Sequence, residues 1–257
     1  MPESLKSAAA WVTTPVFVVS FAAVLFLFDP IQRIAMLFSR HAQQVAAGWL
    51  QVWLMRSLYL SGASIRVERS AKVEKDTSYL IVGNHQSLID IPLVGALLFS
   101  NFPKYVSKQS LAKWIPSISY NLRNGGHALI ERTNREQAIA AITLLGQSAR
   151  ERGVSVLIYP EGTRSRAGEL RRFRTGGALA LLEVAPDLEV VPFVVDNSWQ
   201  FLRHNLRPVP FGIELKVWIG DPIARRADED PAELIHEVRS QIEKTLERWR
   251  GGEAPNA

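Results

Sequence analysis

Residues 79–90 read Tyr-Leu-Ile-Val-Gly-Asn-His-Gln-Ser-Leu-Ile-Asp, an apolar run that breaks into polar residues at a glycine. The apolar part predicts a buried strand, and the residues after it predict a loop that turns into a helix. His85 and Asp90 lie in this break, five residues apart. Two residues with that spacing on a regular helix point away from each other, so the pair can meet only if a loop separates them. If they meet, they supply a general base and a carboxylate that orients it.

A second apolar run ends in a comparable way. Residues 154–165 read Val-Ser-Val-Leu-Ile-Tyr-Pro-Glu-Gly-Thr-Arg-Ser. Gly162 leaves backbone N–H groups unobstructed, and the guanidinium of Arg164 can grip a phosphate in bidentate fashion. In open α/β sheets, ligands bind at the edge where the carboxyl ends of the strands meet. We therefore expect the two loops to form one site for an anionic substrate, with further arginines at positions 166, 171, 172 and 174.

From residue 63 onward, short β-branched runs alternate with helical patterns. This alternation predicts an α/β domain with a central, mixed β-sheet flanked by helices. The predicted strands are 64–68, 79–82, 104–107, 128–130, 155–159, 190–194 and 213–219. The predicted helices are 135–152, 175–183 and a last helix that begins at Asp230-Pro231.

The N-terminal region predicts a membrane-binding helical segment before this domain. Residues 8–28 carry no charged side chain and are about as long as a helix needs to be to cross a bilayer. Pro15 would kink such a helix, so a spanning helix, a helix that dips into one leaflet and a buried core helix all remain open. Arginines follow the run and only Lys6 precedes it, which places the body of the protein on the cytoplasmic side. Residues 45–59 form a second apolar stretch, either an interfacial amphipathic helix or a helix packed on the domain.

Composition narrows the classes of partner and chemistry. The 257-residue chain has a formal net charge of +5 and contains no cysteine. The charge favours anionic lipid, phosphorylated substrates or nucleic acid, and nucleic acid is disfavoured because the basic strip lacks interleaved aromatic side chains that could stack on bases. Without cysteine and without a Gly-x-Ser-x-Gly elbow, an acyl-enzyme has no supporting signature. His236-Glu237 lacks the second histidine of a zinc motif, so no metal site is predicted.

Four stretches resemble, in order and spacing, the four blocks of the glycerolipid acyltransferase family. They are Asn84-His85-x4-Asp90 (an HX4D motif), residues 126–132, residues 160–165 and residues 191–193. The resemblance covers about residues 60–220 and is greatest to bacterial 1-acylglycerol-3-phosphate acyltransferases. In the second block, Ile130-Glu131 stands where the family often has an aromatic residue and Asp, and Arg174 stands where the family has a lysine.

The resemblance implies a glycerol-phosphate-acyltransferase-like fold and an O-acyltransferase that needs no cofactor or metal. Such an enzyme carries a fatty acyl chain from acyl-CoA or acyl carrier protein to the sn-2 hydroxyl of 1-acylglycerol 3-phosphate (lysophosphatidic acid), giving phosphatidic acid. His85 would be the base, oriented by Asp90, and the acceptor hydroxyl would attack the thioester directly. The residues implied in substrate binding are Arg132, Glu161, Gly162, Thr163 and Arg164, with Asn84, Arg174, Val191 and Pro192 as possible acyl-donor or phosphate contacts.

Two alternatives stay open. An acyltransferase for another lysolipid, such as a lyso-ornithine lipid, would share the same blocks. A non-catalytic, membrane-anchored protein that binds anionic ligands would also carry basic residues, although it would not need the His85 and Asp90 pair.

For the whole chain, we expect membrane-associated helices in residues 1–60, the acyltransferase domain in 61–250 and a disordered tail in 251–257. The expected location is the cytoplasmic face of the inner membrane. The bilayer, the lysolipid and the acyl donor are the expected partners, without nucleic acid.

Overall fold

A sheet of seven strands forms the centre of the part that the computed structural model describes, residues 2–226 and 228–251. The strands are β1 (Ser64–Arg69), β2 (Leu80–Gly83), β3 (Lys104–Lys108), β4 (Ala128–Ile130), β5 (Val156–Ile158), β6 (Val190–Asp196) and β7 (Glu214–Ile219). Their order is β1-β7-β6-β2-β5-β3-β4, and only β6 and β7 are antiparallel. The predicted mixed sheet is confirmed, and the ends of the predicted strands differ from the observed ends by at most two residues.

Helices cover both faces of this sheet. They are α1 (Glu3–Phe38), α2 (Arg40–Ser57), α3 (Asp90–Leu97), α4 (Ile118–Asn124), α5 (Arg135–Arg152), α6 (Gly176–Val184) and α7 (Pro231–Arg250). Leu80 and Val82 of β2 face one core, shared with α5, α6 and α7, while Ile81 faces the other, shared with α3 and part of α1. Successive side chains of a strand point to opposite faces, so a strand covered on both sides has to be apolar throughout. This is why residues 79–82 form an unbroken apolar run.

Strands β2, β5 and β6 lie side by side and end at the same edge of the sheet. Leu80 of β2 pairs with Val156 of β5 and Val190 of β6, and all three strands are parallel. Gly83 closes β2 at a crowded position, where a Cβ atom would come within 2.9 Å of the carbonyl oxygen of Phe193. The loops that follow the three strands therefore meet, and they contain both of the polar stretches singled out in the sequence.

Helix α1 continues without a break through Pro15 and Pro30. It is the one helix in the described part of the chain that is long and apolar enough to cross a membrane, and 17% of its apolar window is buried. The Thr14 hydroxyl group accepts a hydrogen bond from the backbone N–H of Val209, and Phe17 packs edge-to-face on Phe201, so one side of α1 docks on the domain. The large apolar side chains Trp11, Val12, Val19, Phe26, Leu27, Leu37 and Phe38 point outward. The helix is thus not a buried core helix.

Helix α2 has features of both alternatives expected for residues 45–59, a packed helix and an interfacial amphipathic helix. Leu50 and Leu54 are buried against α1, which is the packed-helix alternative. Trp49 and Trp53 on its other side are about half exposed, as an interfacial helix requires. The division into residues 1–60 and 61–250 stays a prediction, and the predicted tail falls, apart from Gly251, outside the described residues.

Candidate active site

The carboxylate of Asp90 turns back over the loop that precedes it. Asp90 is the first residue of α3, and its Oδ2 lies 2.7 Å from Nδ1 of His85. The same oxygen accepts hydrogen bonds of 2.8 Å from the backbone N–H groups of Gln86 and Ser87. The loop closes on the carboxylate, and this closure brings two residues five apart in sequence into contact. The carboxylate favours the tautomer with its proton on Nδ1, which leaves Nε2 of His85 as the basic nitrogen.

A second side chain, which the sequence analysis missed, holds the other oxygen of this carboxylate. Ser198 lies in a 3₁₀ turn (Ser198–Leu202) just after β6, and its hydroxyl group donates to Oδ1 of Asp90 at 2.5 Å. Both side chains are fully buried. Taking a charged carboxylate out of water costs several kcal/mol unless hydrogen bonds replace the lost hydration, and Ser198 completes that replacement. Nothing in the sequence marked Ser198, because its partner is 108 residues away.

The ring of His85 is held from one face by Tyr159. The two rings are stacked with centroids 4.2 Å apart and an interplanar angle of 5°. The face of an aromatic ring attracts a cation placed above it, so this stacking would add a favourable contact to a charged imidazole ring. The His85 side chain remains 14% exposed, which leaves it a path to substrate.

Glu161 connects the two loops through backbone groups. Its carboxylate accepts hydrogen bonds from the N–H of His85 at 2.7 Å and from the N–H of Arg171 at 3.0 Å. Burial raises the pKa of Glu161 to about 7, although these two hydrogen bonds oppose the rise. The N–H of Ser165 donates in turn to the carbonyl oxygen of His85 at 2.7 Å. The contact between the two predicted loops is thus present, and Glu161 contributes to it as a positioning group.

Asn84 holds the histidine loop on the neighbouring strand. Its side-chain amide donates to the carbonyl oxygen of Val195 and accepts from the N–H of Val195, both at 2.8 Å. The side chain is buried, and its amide group makes the two hydrogen bonds to Val195 that the backbone of a neighbouring strand would otherwise make. This arrangement makes Asn84 a positioning residue, while its predicted contact with substrate stays a prediction.

Three arginines lie together beside this pair of loops. Partial burial lowers the pKa of Arg132, and the positive charges of Arg164 and Arg174 lower it further. None of the three forms a salt bridge with an acidic side chain in residues 2–226 and 228–251. Like charges held close together without a carboxylate are stabilised by an anion between them, and a phosphate group suits guanidinium geometry.

The turn at Gly162 allows this arrangement of backbone and arginine. Gly162 has a φ of +67°, in the left-handed region, and the side chain of Arg174 passes 3.5 Å from the position of a Cβ atom. Its own N–H donates to the carbonyl oxygen of Tyr159. Within the described chain, the N–H groups of Thr163 and Arg164 have no protein acceptor. These two N–H groups, rather than that of Gly162, are therefore available to an oxyanion or a phosphate.

Val191 and Pro192 lie in the middle of β6 and not in a loop. Val191 is fully buried in one of the two cores, and Pro192 is paired with Val82 of β2. Their predicted contact with the acyl donor stays a prediction. In the described part of the chain, no group of three or more His, Asp or Glu side chains could hold a metal ion.

His127 lies at the opposite edge of the sheet, before β4. Its Nδ1 accepts a hydrogen bond from the N–H of Tyr105, and burial, together with the charges of Lys104 and Arg152, holds its pKa well below the usual value. A neutral histidine that is bonded to the backbone in this way has a structural role.

The family model described as Acyltransferase matches residues 64–196, which is half of the chain. The chain belongs to the acyltransferase family. The matched region contains the His85 and Asp90 pair and all of the predicted substrate-binding residues, but it ends before Ser198.

Several similar proteins are 1-acyl-sn-glycerol-3-phosphate acyltransferases, and three of them illustrate the range. The Borreliella burgdorferi protein is 30% identical over 195 residues, which are 74% of this chain and 75% of that protein. The Salmonella typhimurium protein is 30% identical over 146 residues (57% of this chain, 58% of that protein), and the Cocos nucifera protein is 28% identical over 160 residues (61% and 50%). The chain thus spans between half and three quarters of the length of these relatives.

A solved structure shows the same fold. The 1-acyl-sn-glycerophosphate acyltransferase PlsC from Thermotoga maritima superposes with a TM-score of 0.77 and 19% sequence identity, and the match covers 97% of this chain and 100% of that one. At this sequence identity the match supports the fold alone: the central sheet, its helices and the helical N-terminal segment. The fold expected from the sequence is therefore confirmed, and the acyltransferase family provides the class of reaction.

Ser198→Ala tests whether the serine supports the histidine. A hydrogen bond to a charged group contributes about 1.5–3 kcal/mol, so we expect kcat to fall about tenfold or more. Ser198→Thr keeps the hydroxyl group and should recover most of the loss. Ser61→Ala is a matched control, because Ser61 is also fully buried but its hydroxyl group bonds to the carbonyl oxygen of Leu58, away from the site. Equal kcat values for Ser198→Ala and Ser61→Ala would contradict the role.

Proposed function

We propose that this acyltransferase moves a fatty acyl chain from acyl-CoA or acyl carrier protein to the sn-2 hydroxyl of 1-acylglycerol 3-phosphate, giving phosphatidic acid. The observation that carries the proposal is that Arg132 lies close enough to Arg164 and Arg174 to be affected by their charges, and that the loop of Arg164 is bonded to the loop of His85 through the N–H of Ser165. The names of the three relatives support the same acceptor. A phosphate bound by Arg132, Arg164 and Arg174 would hold the glycerol backbone next to His85.

In the proposed reaction, Nε2 of His85 accepts the proton of the sn-2 hydroxyl as its oxygen attacks the thioester carbonyl. Asp90 remains ionised and stabilises the imidazolium through Nδ1, and Tyr159 adds the attraction of its ring face. The N–H groups of Thr163 and Arg164 are available to the negative charge on the tetrahedral carbonyl oxygen. When the intermediate collapses, the C–S bond breaks, the new ester forms, and His85 returns the proton to the leaving thiolate.

Direct transfer is favoured over an acyl-enzyme. The chain has no cysteine, and Ser87, the hydroxyl closest in sequence to His85, is fully buried. Its N–H donates to Asp90, which places Ser87 in the turn that orients the histidine. A buried turn residue cannot reach a thioester, so the acceptor hydroxyl is the nucleophile in this proposal.

Membrane attachment through α1 and α2 accompanies this activity. The outward apolar side chains of α1 and the half-exposed tryptophans of α2 form surfaces whose exposure to water is unfavourable. Tryptophan side chains are also enriched at the interface between membrane and water. Both substrates carry long acyl chains, so an enzyme held at the bilayer meets them where they are concentrated. The excess of arginine after α1 favours the cytoplasmic side of the inner membrane for the domain.

His85→Ala tests the base. Loss of general base catalysis costs about 10²–10⁴-fold, so kcat should fall by that factor while expression and membrane association stay unchanged. His204→Ala removes an exposed histidine that lies outside the four predicted blocks and serves as the control. Turnover of His85→Ala near the wild-type level would remove His85 from this role.

Arg164→Ala tests the phosphate site. The KM for lysophosphatidic acid should rise about tenfold, since one charged hydrogen bond to phosphate is lost, while the KM for acyl-CoA changes little. Arg150→Ala is the matched control. Arg150 lies in the last turn of α5 and pairs with Asp187. A rise of equal size for both substrates would contradict the assignment.

The wild-type enzyme with an acceptor panel separates the remaining functions. Preference for lysophosphatidic acid over lysophosphatidylcholine and lyso-ornithine lipid supports the proposal. Preference for one of the other two identifies another lysolipid as acceptor. Absence of turnover with all three, together with binding to anionic vesicles, would favour a non-catalytic protein.

Single-cysteine labelling tests the membrane orientation, because the chain has no native cysteine. Glu247→Cys, at an exposed position of α7, should react with an impermeant maleimide only after spheroplasts are lysed. Labelling of Glu247→Cys in intact spheroplasts would overturn the cytoplasmic location. Leu5→Cys distinguishes the two remaining arrangements of α1: a spanning helix exposes it outside, and a helix that dips into one leaflet does not.

A further inference from the structure

Arg250, the last residue of α7, contacts both the end of β6 and the loop segment 162–174. Arg250 donates from Nη2 to Oδ1 of Asp196 at 2.7 Å and from Nε to Oδ2 at 3.1 Å, so the contact is bidentate. The same Nη2 donates to the carbonyl oxygen of Gly168 at 2.7 Å. Asp196 ends β6, and Gly168 lies in the segment 162–174 that carries Arg164 and Arg174. One guanidinium thus joins α7, the central strand and the arginine segment.

Both acceptors are shared with the residue next to the predicted base. Nε2 of Gln86 donates to Oδ1 of Asp196 at 3.0 Å and to the carbonyl oxygen of Gly168 at 3.3 Å. The backbone N–H of Gln86 donates to Asp90. Asp196 is 3% exposed, so it depends on Arg250 and Gln86 to compensate its charge. The network therefore continues from α7 through Asp196 and Gly168 to the histidine loop.

The segment 162–174 is shaped to receive this contact. Gly168 has a φ of +86°, and a Cβ atom there would lie 2.7 Å from Nε1 of Trp199 and 3.3 Å from Nη2 of Arg250. Only glycine permits so close an approach of backbone to two side chains in that conformation. No helix or strand lies within 162–174, so the position of its arginines depends on tethers of this kind.

We propose that Arg250 is a positioning residue for the acyl acceptor: it tethers the segment 162–174 at Gly168 so that Arg164 and Arg174 are placed for the acceptor phosphate. The role in acceptor binding rests on the proposed function, whereas the tether itself does not. His85 keeps its own supports in Asp90, Glu161 and Tyr159, so loss of the tether weakens acceptor binding more than the chemical step. Arg250 lies outside residues 64–196, the region of the family match.

The test compares Arg250→Ala with Arg248→Ala. Arg248 is one of the last residues of the same helix and forms an ion pair with Glu68 on β1, so its replacement removes a similar contact away from the site. Tryptic cleavage at the exposed residues Arg166, Arg171 and Arg172, followed by mass spectrometry, reports the freedom of the segment without any substrate. We expect cleavage to be about fivefold faster in Arg250→Ala, because the segment can then open without breaking the hydrogen bonds of Arg250. We expect the cleavage rate of Arg248→Ala to be unchanged.

Kinetics then test the consequence for the acceptor. In Arg250→Ala, the KM for lysophosphatidic acid should rise about five- to tenfold with kcat within about twofold of wild type, the pattern of lost binding rather than lost chemistry. Arg250→Lys keeps the charge with one donor group in place of the fork and should recover part of both effects.

The outcomes separate the two proposals. Unchanged cleavage in Arg250→Ala, or an equal increase in Arg248→Ala, would overturn the tether whatever the kinetics. Faster cleavage with an unchanged KM would overturn the role in acceptor binding. If wild-type protein does not acylate lysophosphatidic acid, the proposed function fails, and the proteolysis still decides the tether.

Discussion

The buried carboxylate of Asp90 is the interaction on which the site depends. A charge with no exposure to water is tolerated only if every lone pair finds a donor, and Asp90 finds them in the His85 ring, two backbone N–H groups and the Ser198 hydroxyl. The same bonds that stabilise the charge also fix the loop and the histidine. The same hydrogen bonds therefore stabilise the buried carboxylate and orient the histidine. Without them the carboxylate could not be buried.

The three arginines near the two loops pose the opposite problem, because Arg132, Arg164 and Arg174 carry like charges and lie close together. Burial lowers the pKa of Arg132, and the positive charges of Arg164 and Arg174 lower it further. Such a cluster has to be held in place by contacts that do not neutralise it. The backbone contacts of Glu161, Ser165 and Gly168 have this property: they fix the chain and leave the guanidinium groups to an incoming anion.

The N-terminal helices explain how a domain with a polar site can serve lipid substrates. Helix α1 docks through Thr14 and Phe17 and turns large apolar side chains such as Trp11, Phe26 and Phe38 outward. The helix assignment continues through Pro15. Proline removes one backbone donor and leaves the carbonyl oxygen of Trp11 without its helical partner, while the hydroxyl groups of Thr13 and Thr14 donate to the carbonyl oxygens of Ala9 and Ala10 in the same turns.

The sequence by itself determined the α/β class, the strands, the capped start of α7 and the two loops that carry His85, Asp90 and Arg164. These features follow from local periodicity and from chemistry that few residue types can supply, so they can be read along the chain. Only the tertiary structure decided that Ser198 bonds Asp90, that Tyr159 stacks on His85 and that Arg250 reaches Asp196 and Gly168. These partners lie from 54 to 108 residues apart, and no local pattern encodes which of many serines or arginines the packed strands and helices bring to one point.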